Sequence, residues 1–251
     1  MNKNSNVCAV VLAAGKGTRM KSDLPKVVTL LESKPLILYV IDTLKKINIS
    51  KIIVVVGYKK EIVMDLLKDT GVEFVEQAEQ LGTGHALLST EPSLSSFQGH
   101  LLVCCGDVPF ISATSFQSLL DTHIQNQYAL TVLSAYVENP TGYGRILRNL
   151  SDDLEKIIEE KDASESEKSV KEVNTGTYVF QSPSVFSYLK TLGNDNAQKE
   201  YYLPDLIKIY NANGYKTGVL ALSNSLESTG INSPEDLAFA TSLLKDGKIN
   251  L

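Results

Sequence analysis

Short apolar runs and amphipathic stretches alternate from Val7 to about residue 125. Val7–Ala13 and Lys51–Val56 are β-branched and apolar, the pattern of strands covered on both faces. Between them Leu36, Val40, Ile41 and Leu44 recur at helical spacing behind Pro35, which predicts a helix over Pro35–Lys46 with proline in its first turn. Lys59–Lys68 reads as a second helix and Val72–Glu76 as a strand; a further helix begins near Thr83 and runs through His85–Thr90. His100–Cys105 is another apolar strand, and Ser112–His123 a helix with Ser112 as its N-cap. Such alternation predicts a parallel sheet with helices on both faces.

The second half has a different pattern. Ala129–Val137, Arg145–Asn149 and Glu172–Phe180 read as strands without long helices between them. Lys161–Lys171 is charged and serine-rich, the signature of an exposed loop. Tyr201–Ala212 and Glu235–Lys245 read as helices flanking a strand at Lys216–Leu222. No internal repeat, interdomain linker or low-complexity tract interrupts the chain. The expected architecture is one α/β domain: a nucleotide-binding half to about residue 125, a more antiparallel half over about 126–233, and a C-terminal helix within 234–251.

Composition narrows the function classes. The chain has 251 residues, enough for a real core without disulfides. Twenty-nine acidic against 24 basic side chains leave a net charge of -5, the wrong balance for a nucleic-acid backbone reader. Cys8, Cys104 and Cys105 make no disulfide framework, and His85, His100 and His123 stand apart without metal-ligand spacing. The apolar run after Met1–Asn6 is too short to span a bilayer. A soluble, cytoplasmic protein acting on small molecules is expected, with neither nucleic acid nor membrane as partner.

Candidate chemistry gathers just after the strands. Leu12-Ala13-Ala14-Gly15-Lys16-Gly17-Thr18-Arg19-Met20 follows the first one. Its glycines let backbone N–H groups converge on an anion, and Lys16 and Arg19 add charge. Met20 at the third glycine position excludes the dinucleotide fingerprint, and no Gly-Lys-Ser/Thr completes a Walker loop. Pro25 stiffens the loop that carries Lys26, as suits a lysine meant for a phosphate. In Gln77-Ala78-Glu79-Gln80-Leu81-Gly82-Thr83-Gly84-His85-Ala86 the Gln77 amide has donors and an acceptor for a pyrimidine edge, and Gly82 and Gly84 admit a close approach. His85 is expected to pack rather than catalyse. Asp107, just past an apolar strand, is a candidate Mg²⁺ ligand, the alternative being a cap on the turn before Pro109.

These blocks, with PTGYGRI (140–146), EVNTG (172–176) and NAQKEYY (196–202), occur in one order from Leu12 to Tyr202. In this the chain resembles the uridyltransferase domain of the bifunctional bacterial N-acetylglucosamine-1-phosphate uridyltransferase/glucosamine-1-phosphate acetyltransferase family. LAAGKGTRM marks only the wider group of sugar-phosphate nucleotidyltransferases; QAEQLGTGHA with PTGYGRI and NTG is more specific. The resemblance implies a Rossmann-like nucleotide-diphospho-sugar transferase fold, with a mainly parallel central sheet and a more antiparallel sugar-binding lobe. It implies that Leu12, Ala13, Ala14 and Gly15 hold the nucleotide, with Arg19 and Lys26 on its phosphates. Gln77, Gly82 and Thr83 would recognise uracil, Asp107 and Asn232 would hold Mg²⁺, and Gly144, Glu159 and Asn174 would contact the sugar phosphate. Without the resemblance Glu159, in the charged run 155–161, reads as a solvated face.

Three residues depart from the family pattern. Cys105 stands where a tyrosine or other polar residue is common, next to the expected sugar contacts; Lys199 replaces a small residue; Pro204 replaces a polar one before Asp205. No hexapeptide β-helix repeats follow, so neither acetyltransfer nor the trimer built by that domain is expected. The implied reaction joins UTP and N-acetylglucosamine 1-phosphate into UDP-N-acetylglucosamine and pyrophosphate, feeding cell-envelope precursors. A sugar phosphate is already largely dianionic at neutral pH, its second pKa being about 6, so the nucleophile needs no general base. Two alternatives are a different sugar 1-phosphate and a UDP-sugar-binding sensor without catalysis. Joint retention of Lys26, Asp107 and Asn232 argues against the sensor.

Overall fold

The computed structural model describes residues 4–49 and 51–249; the start at Met1–Lys3 and the chain end at Asn250 and Leu251 lie outside it. In chain order the elements are β1 (Val7–Leu12), β2 (Leu30–Leu31), β3 (Lys34–Pro35), α1 (Leu36–Lys46), β4 (Lys51–Val56), α2 (Lys60–Leu67), β5 (Glu73–Glu76), α3 (Thr83–Leu88), α4 (Glu91–Leu94) and β6 (Gly99–Cys105). There follow α5 (Ala113–Gln125), β7 (Leu130–Tyr136), β8 (Arg145–Arg148), β9 (Leu154–Ile158), α6 (Glu165–Lys168), β10 (Glu172–Ser182), α7 (Val185–Leu189), α8 (Leu206–Ala212), β11 (Thr217–Ala221) and α9 (Pro234–Lys245).

One mixed sheet runs through both halves of the chain in the order β11-β7-β10-β6-β1-β4-β5. Its β6-β1-β4-β5 part is parallel; β10 pairs antiparallel with both β6 and β7, and the short strands β8 and β9 extend it at the end of β10. The uninterrupted apolar strands follow from burial on both faces. Val7, Ala9, Val11, Val54, Leu102 and Cys104 face α1, α2 and α5, whereas Cys8, Val10, Ile53, Val55, Leu101 and Val103 face α3, α7 and α8. A third cluster, with Met20, Leu31, Leu36, Phe110, Ile231, Ala240 and Leu243, seats α9 beside the β2–β3 hairpin.

Register decides where the chemistry goes. Leu12 pairs with both Val55 and Cys105, and Val56 with Glu76, so β1, β4, β5 and β6 end together. Ala13–Gly15, Gln77 and Asp107 therefore leave the sheet at one carboxyl edge, where open α/β sheets hold ligands.

The sequence readings stand close to these elements, with corrections. Ser112 caps α5 as expected, its Oγ accepting from Ser115 N at 3.1 Å. The exposed loop expected over Lys161–Lys171 contains α6, held by a capping box between Ser164 and Glu167. Strand β9 occupies part of the run read as a solvated face; it pairs with β8 and buries Leu154 and Ile157 between charged neighbours. The helix expected from Tyr201 begins only at Leu206, because Pro204 sits in a 3₁₀ turn over Leu203–Asp205. No helix among the described residues is long and apolar enough to cross a membrane.

Two histidines expected to stand alone meet inside the fold. The rings of His100 on β6 and His123 on α5 pack edge to face, 5.1 Å apart, and His123 Nδ1 lies 2.9 Å from Thr131 Oγ1. His100 Nδ1 and His123 Nε2 have no partner among the described residues. Burial, with His100 beside it, holds His123 down at about 3, and burial lowers His100 too. Both rings are neutral in the folded protein. As pH falls below about 6.5 the unfolded chain takes up protons that folded His123 refuses until about 3, and its contribution to stability is lost across that window. Replacing His123 by Gln should therefore flatten the acid side of the stability profile: between pH 6.5 and 4.5 the variant should lose about 1–3 kcal/mol less than the wild type in denaturant titrations. Parallel profiles would contradict the assignment.

Candidate functional site

The carboxyl edge opens into two joined cavities of ≈ 290 Å³ each. Together they reach the size of small-molecule sites, about 300–1,000 Å³. One is walled by Ala13, Ala14, Gly15, Lys26, Gln77 and Gly82; the other by Arg19, Gly144, Glu159, Asn174 and Asn232. Leu12, Thr83, Cys105 and Asp107 line both. The structure thus brings the nucleotide, metal and sugar-phosphate candidates of the sequence to one cleft, including Glu159, which reading by charge alone would have left in solvent, whereas Gly84, His85 and Lys199 lie outside both walls. Lys16 lies outside both walls too, its Nζ 5.3 Å from the Tyr58 ring centre.

At the junction, Lys26 Nζ donates to Asp107 Oδ2 at 2.5 Å and to Asn232 Oδ1 at 2.7 Å, and Arg19 Nη2 donates to the same Asn232 oxygen at 3.0 Å. Backbone bonds hold this trio. Ile231 N donates to Asp107 O at 2.9 Å, and Asn232 N to Asp236 Oδ2 at 2.9 Å. Gly17 brings Lys26 in: at φ +66° it turns the loop, and a Cβ there would lie 2.5 Å from Lys26 Cβ. Asp107 and Asn232 offer hard oxygens that already converge on one cation, the Lys26 ammonium. This donor set fits Mg²⁺, which binds one or two carboxylates and completes its shell with phosphates and water. No cluster of three His, Cys, Asp or Glu side chains fit for a metal exists among the described residues.

The first of these walls is built around Gln77, only 3% exposed, whose Nε2 lies 3.0 Å from both Gly82 O and His85 Nδ1. A segment from the second half clamps this loop: Tyr201 N donates to Leu81 O, Gly84 N to Tyr201 O, and Leu203 N to Thr83 Oγ1. Thr83 thus gives one lone pair of its hydroxyl to the clamp and keeps the O–H to donate. Gly82, at φ +106°, lies so close that a Cβ would sit 2.7 Å from Tyr201 O.

The opposite wall depends on a buried arginine. Arg145, 1% exposed, donates to Glu160 Oε2 at 2.6 Å, to Lys168 O at 3.2 Å and to Tyr143 O. This ties β8 to α6 and to the turn at Tyr143–Gly144. A bulge in β10 between Asn174 and Thr177 turns Asn174 into the cleft, where its Nδ2 donates to Tyr178 Oη at 2.7 Å and its Oδ1 accepts from Gly176 N at 3.0 Å. Cys105 Sγ lies 3.6 Å from Gly176 O, and burial beside the Asp107 carboxylate pushes its thiol up to about 12. Burial, with Asp205, Asp162 and Glu200 nearby, pushes the Glu159 carboxyl up to about 7 against the pull of Arg145.

Reading the sequence missed several wall residues. Gln80 lines the same cavity as Gln77 with the same amide chemistry, and Glu200 lines it too. Tyr143 and Tyr178 line the other wall. Gln80, Glu200 and Tyr143 sat inside quoted motifs; Tyr178 carried no signal beyond its strand.

The family model for the MobA-like NTP transferase domain matches residues 9–195, and the chain belongs to this nucleotidyltransferase family. It is 47% identical over 237 residues to the bifunctional protein GlmU of Streptococcus agalactiae serotype V, and 46% identical over the same length to that of Streptococcus sanguinis. Each alignment covers 94% of this chain and 51% of the relative, so the chain spans about half the length of the curated relatives it matches. Among solved structures, a proposed glucose-1-phosphate thymidylyltransferase from Bacillus anthracis, crystallised with sucrose, superposes with a TM-score of 0.77 over 98% of this chain and 97% of that one. At 22% identity that likeness shows the nucleotide-sugar transferase fold alone.

Two measurements test this construction. A Gly82→Ala chain must displace Tyr201 as well as strain its own backbone, so it should lose about 1–3 kcal/mol of stability and bind nucleotide more weakly; unchanged melting and nucleotide affinity would contradict the clamp. Folded Glu159 stays protonated up to about 7, whereas in the unfolded chain it ionises near 4.5. Its stabilising effect is therefore lost as pH rises through that window. Relative to wild type, Glu159→Gln should be more stable at pH 8 than at pH 5 by about 1–3 kcal/mol. A pH-independent difference would refute the shift. Its window overlaps that of His123 with opposite sign, so each must be read from the difference between variant and wild type.

Proposed function

We propose that this nucleotidyltransferase joins UTP to N-acetylglucosamine 1-phosphate, releasing pyrophosphate and UDP-N-acetylglucosamine. The observation that carries the reading is the pair of joined cavities: an amide-and-glycine wall suited to a nucleobase, a carboxyl-and-amide wall suited to a hydroxyl-rich sugar, and cationic Lys26 and Arg19 where they meet. The similarity to GlmU supports it further.

In this reading the sugar phosphate, already largely dianionic because its second pKa is about 6, attacks the α-phosphorus of UTP directly. A bond forms from the sugar-phosphate oxygen to that phosphorus, and the bond to the β-phosphate bridging oxygen breaks. Ala13–Gly15 line the path of the phosphates with backbone, Lys26 neutralises charge there, and Arg19 meets the leaving pyrophosphate. Mg²⁺, held by Asp107 and Asn232, would supply electrophilic charge on the phosphate oxygens. Glu159, kept largely protonated until about 7, can donate to a sugar oxygen where a carboxylate could only accept.

Pyrophosphate release with UTP, Mg²⁺ and each of N-acetylglucosamine, glucose and N-acetylgalactosamine 1-phosphate tests the assignment. Turnover should be confined to the first; preference for another overturns the substrate, and silence in all three overturns the activity. Lys26→Ala and Asp107→Ala should each lower kcat by about 100-fold or more, the effect of removing one preorganised charge. Near-normal turnover in both would move the reaction elsewhere.

A further inference from the structure

His85 is absorbed by no step above, yet it touches the residue that faces the nucleobase. Gln77 Nε2 carries two hydrogens and has two neighbours at 3.0 Å, Gly82 O and His85 Nδ1. A carbonyl oxygen can only accept, so the amide nitrogen must lie on the Gly82 side. The orientation of the Gln77 amide is thereby fixed by chemistry rather than by choice of placement. His85 Nδ1 must then accept as well, which puts the ring proton on Nε2. Both amide hydrogens are consumed. Among the described residues Oε1 is left without a hydrogen-bond partner, on a side chain that lines the nucleobase cavity. His85 also lines a further, mainly apolar pocket with Leu81, Leu88, Leu192 and Tyr201.

We propose that His85 is a positioning residue for base choice: by accepting from Gln77 it locks that amide with its oxygen toward the cavity, a fixed acceptor that takes the N3–H of uracil and repels the unprotonated N3 of cytosine. This rests on the reading that the Gln77 wall holds the nucleobase. Gly82 alone gives the amide one anchor about which it can turn. The His85 bond is the second, and it removes the rotamer that would offer an N–H to cytosine. A histidine that merely packed would need no free Nδ1 and would be indifferent to the base.

The test is the ratio of dissociation constants for UTP and CTP, measured by calorimetry with Mg²⁺ and no sugar phosphate. No turnover is involved, so a wrong sugar leaves the result intact. The wild type should prefer UTP. His85→Leu fills the apolar pocket but removes the acceptor, and should reduce the preference by about tenfold or more, as expected when a buried N–H loses its partner. His85→Asn places Oδ1 where Nδ1 lies and should restore most of it. A preference unchanged in His85→Leu, or lost equally in both variants, overturns the inference. Should His85→Leu not fold, ¹⁵N NMR of the wild-type ring decides: a proton on Nε2 with Nδ1 bare is required, and a proton on Nδ1 overturns the inference even if UTP binds and turns over.

Discussion

Lys26 sits between two oxygens, Asp107 Oδ2 and Asn232 Oδ1, at 2.5 and 2.7 Å, and the cleft is organised around that contact. It joins parts of the chain separated by 81 and 206 residues. Lys26 and Asp107 side chains keep only 18% and 14% of their exposure, so neither charge is freely hydrated. Breaking such a partly buried pair strands a charge at a cost of about 3–5 kcal/mol when burial is complete, and less here. That cost keeps the Gly17–Lys26 loop closed on the sheet and the Asn232 loop closed on β6. In the proposed reaction a phosphate would take over the contact with Lys26 and a divalent ion the contact with Asp107 and Asn232. The cleft thus already holds opposite charges side by side.

Burial and register do the remaining positioning. Parallel strands that end together deliver Leu12, Gln77 and Asp107 to one edge, and the antiparallel turn of β10 across β6 brings Asn174 to the same place. The two walls come from different halves of the chain, yet neither half forms its wall alone. The Tyr201–Leu203 segment from the second half fixes the loop that carries Gly82 and Thr83 in the first. The Asp107 backbone of the first half fixes the loop that carries Asn232 in the last. Filling one cavity therefore acts on backbone that shapes the other.

How far this was legible in the sequence depends on the kind of signal. The parallel core was legible because residues 7–12 and 52–56 carry apolar side chains at every position, and only burial on both faces explains that. The glycine loop, Lys26 and Asp107 were legible because each lies just beyond such a strand. Glu159 was not, since a carboxylate among lysines and glutamates looks solvated; it is half-buried, two residues beyond inward-facing Ile157, and a register shift in β9 between Leu154 and Lys156 breaks the alternation that would have shown this face. The histidine pair was illegible for another reason. His100 and His123 meet only through the packing of α5 on the sheet, a long-range contact that no local spacing encodes. Helix α6 was hidden by composition, although its serine and glutamate three residues apart form a capping box that the sequence does display.

The same geometry bears on which chemistry the cleft can support. A covalent route needs a nucleophile with its proton removed, and the side chains with that capacity near the junction are otherwise engaged. Cys105 faces both cavities but is held as a thiol, its proton retained up to about 12 by burial and by the Asp107 carboxylate. The thiolate is the reactive form, so this sulfur is inert at neutral pH. His85 spends Nδ1 on Gln77 rather than on a hydroxyl or thiol, and the other two histidines pack on each other between α5 and β6. What remains at the junction is cationic and hydrogen-bonding: Lys26, Arg19, the Asn232 amide and the backbone of Ala13–Gly15. Groups of this kind lower a barrier by holding charge where it develops, without forming a bond to the substrate. A nucleophile that arrives with its own negative charge is the partner such a site can use, and this is the physical ground on which the proposed direct displacement rests.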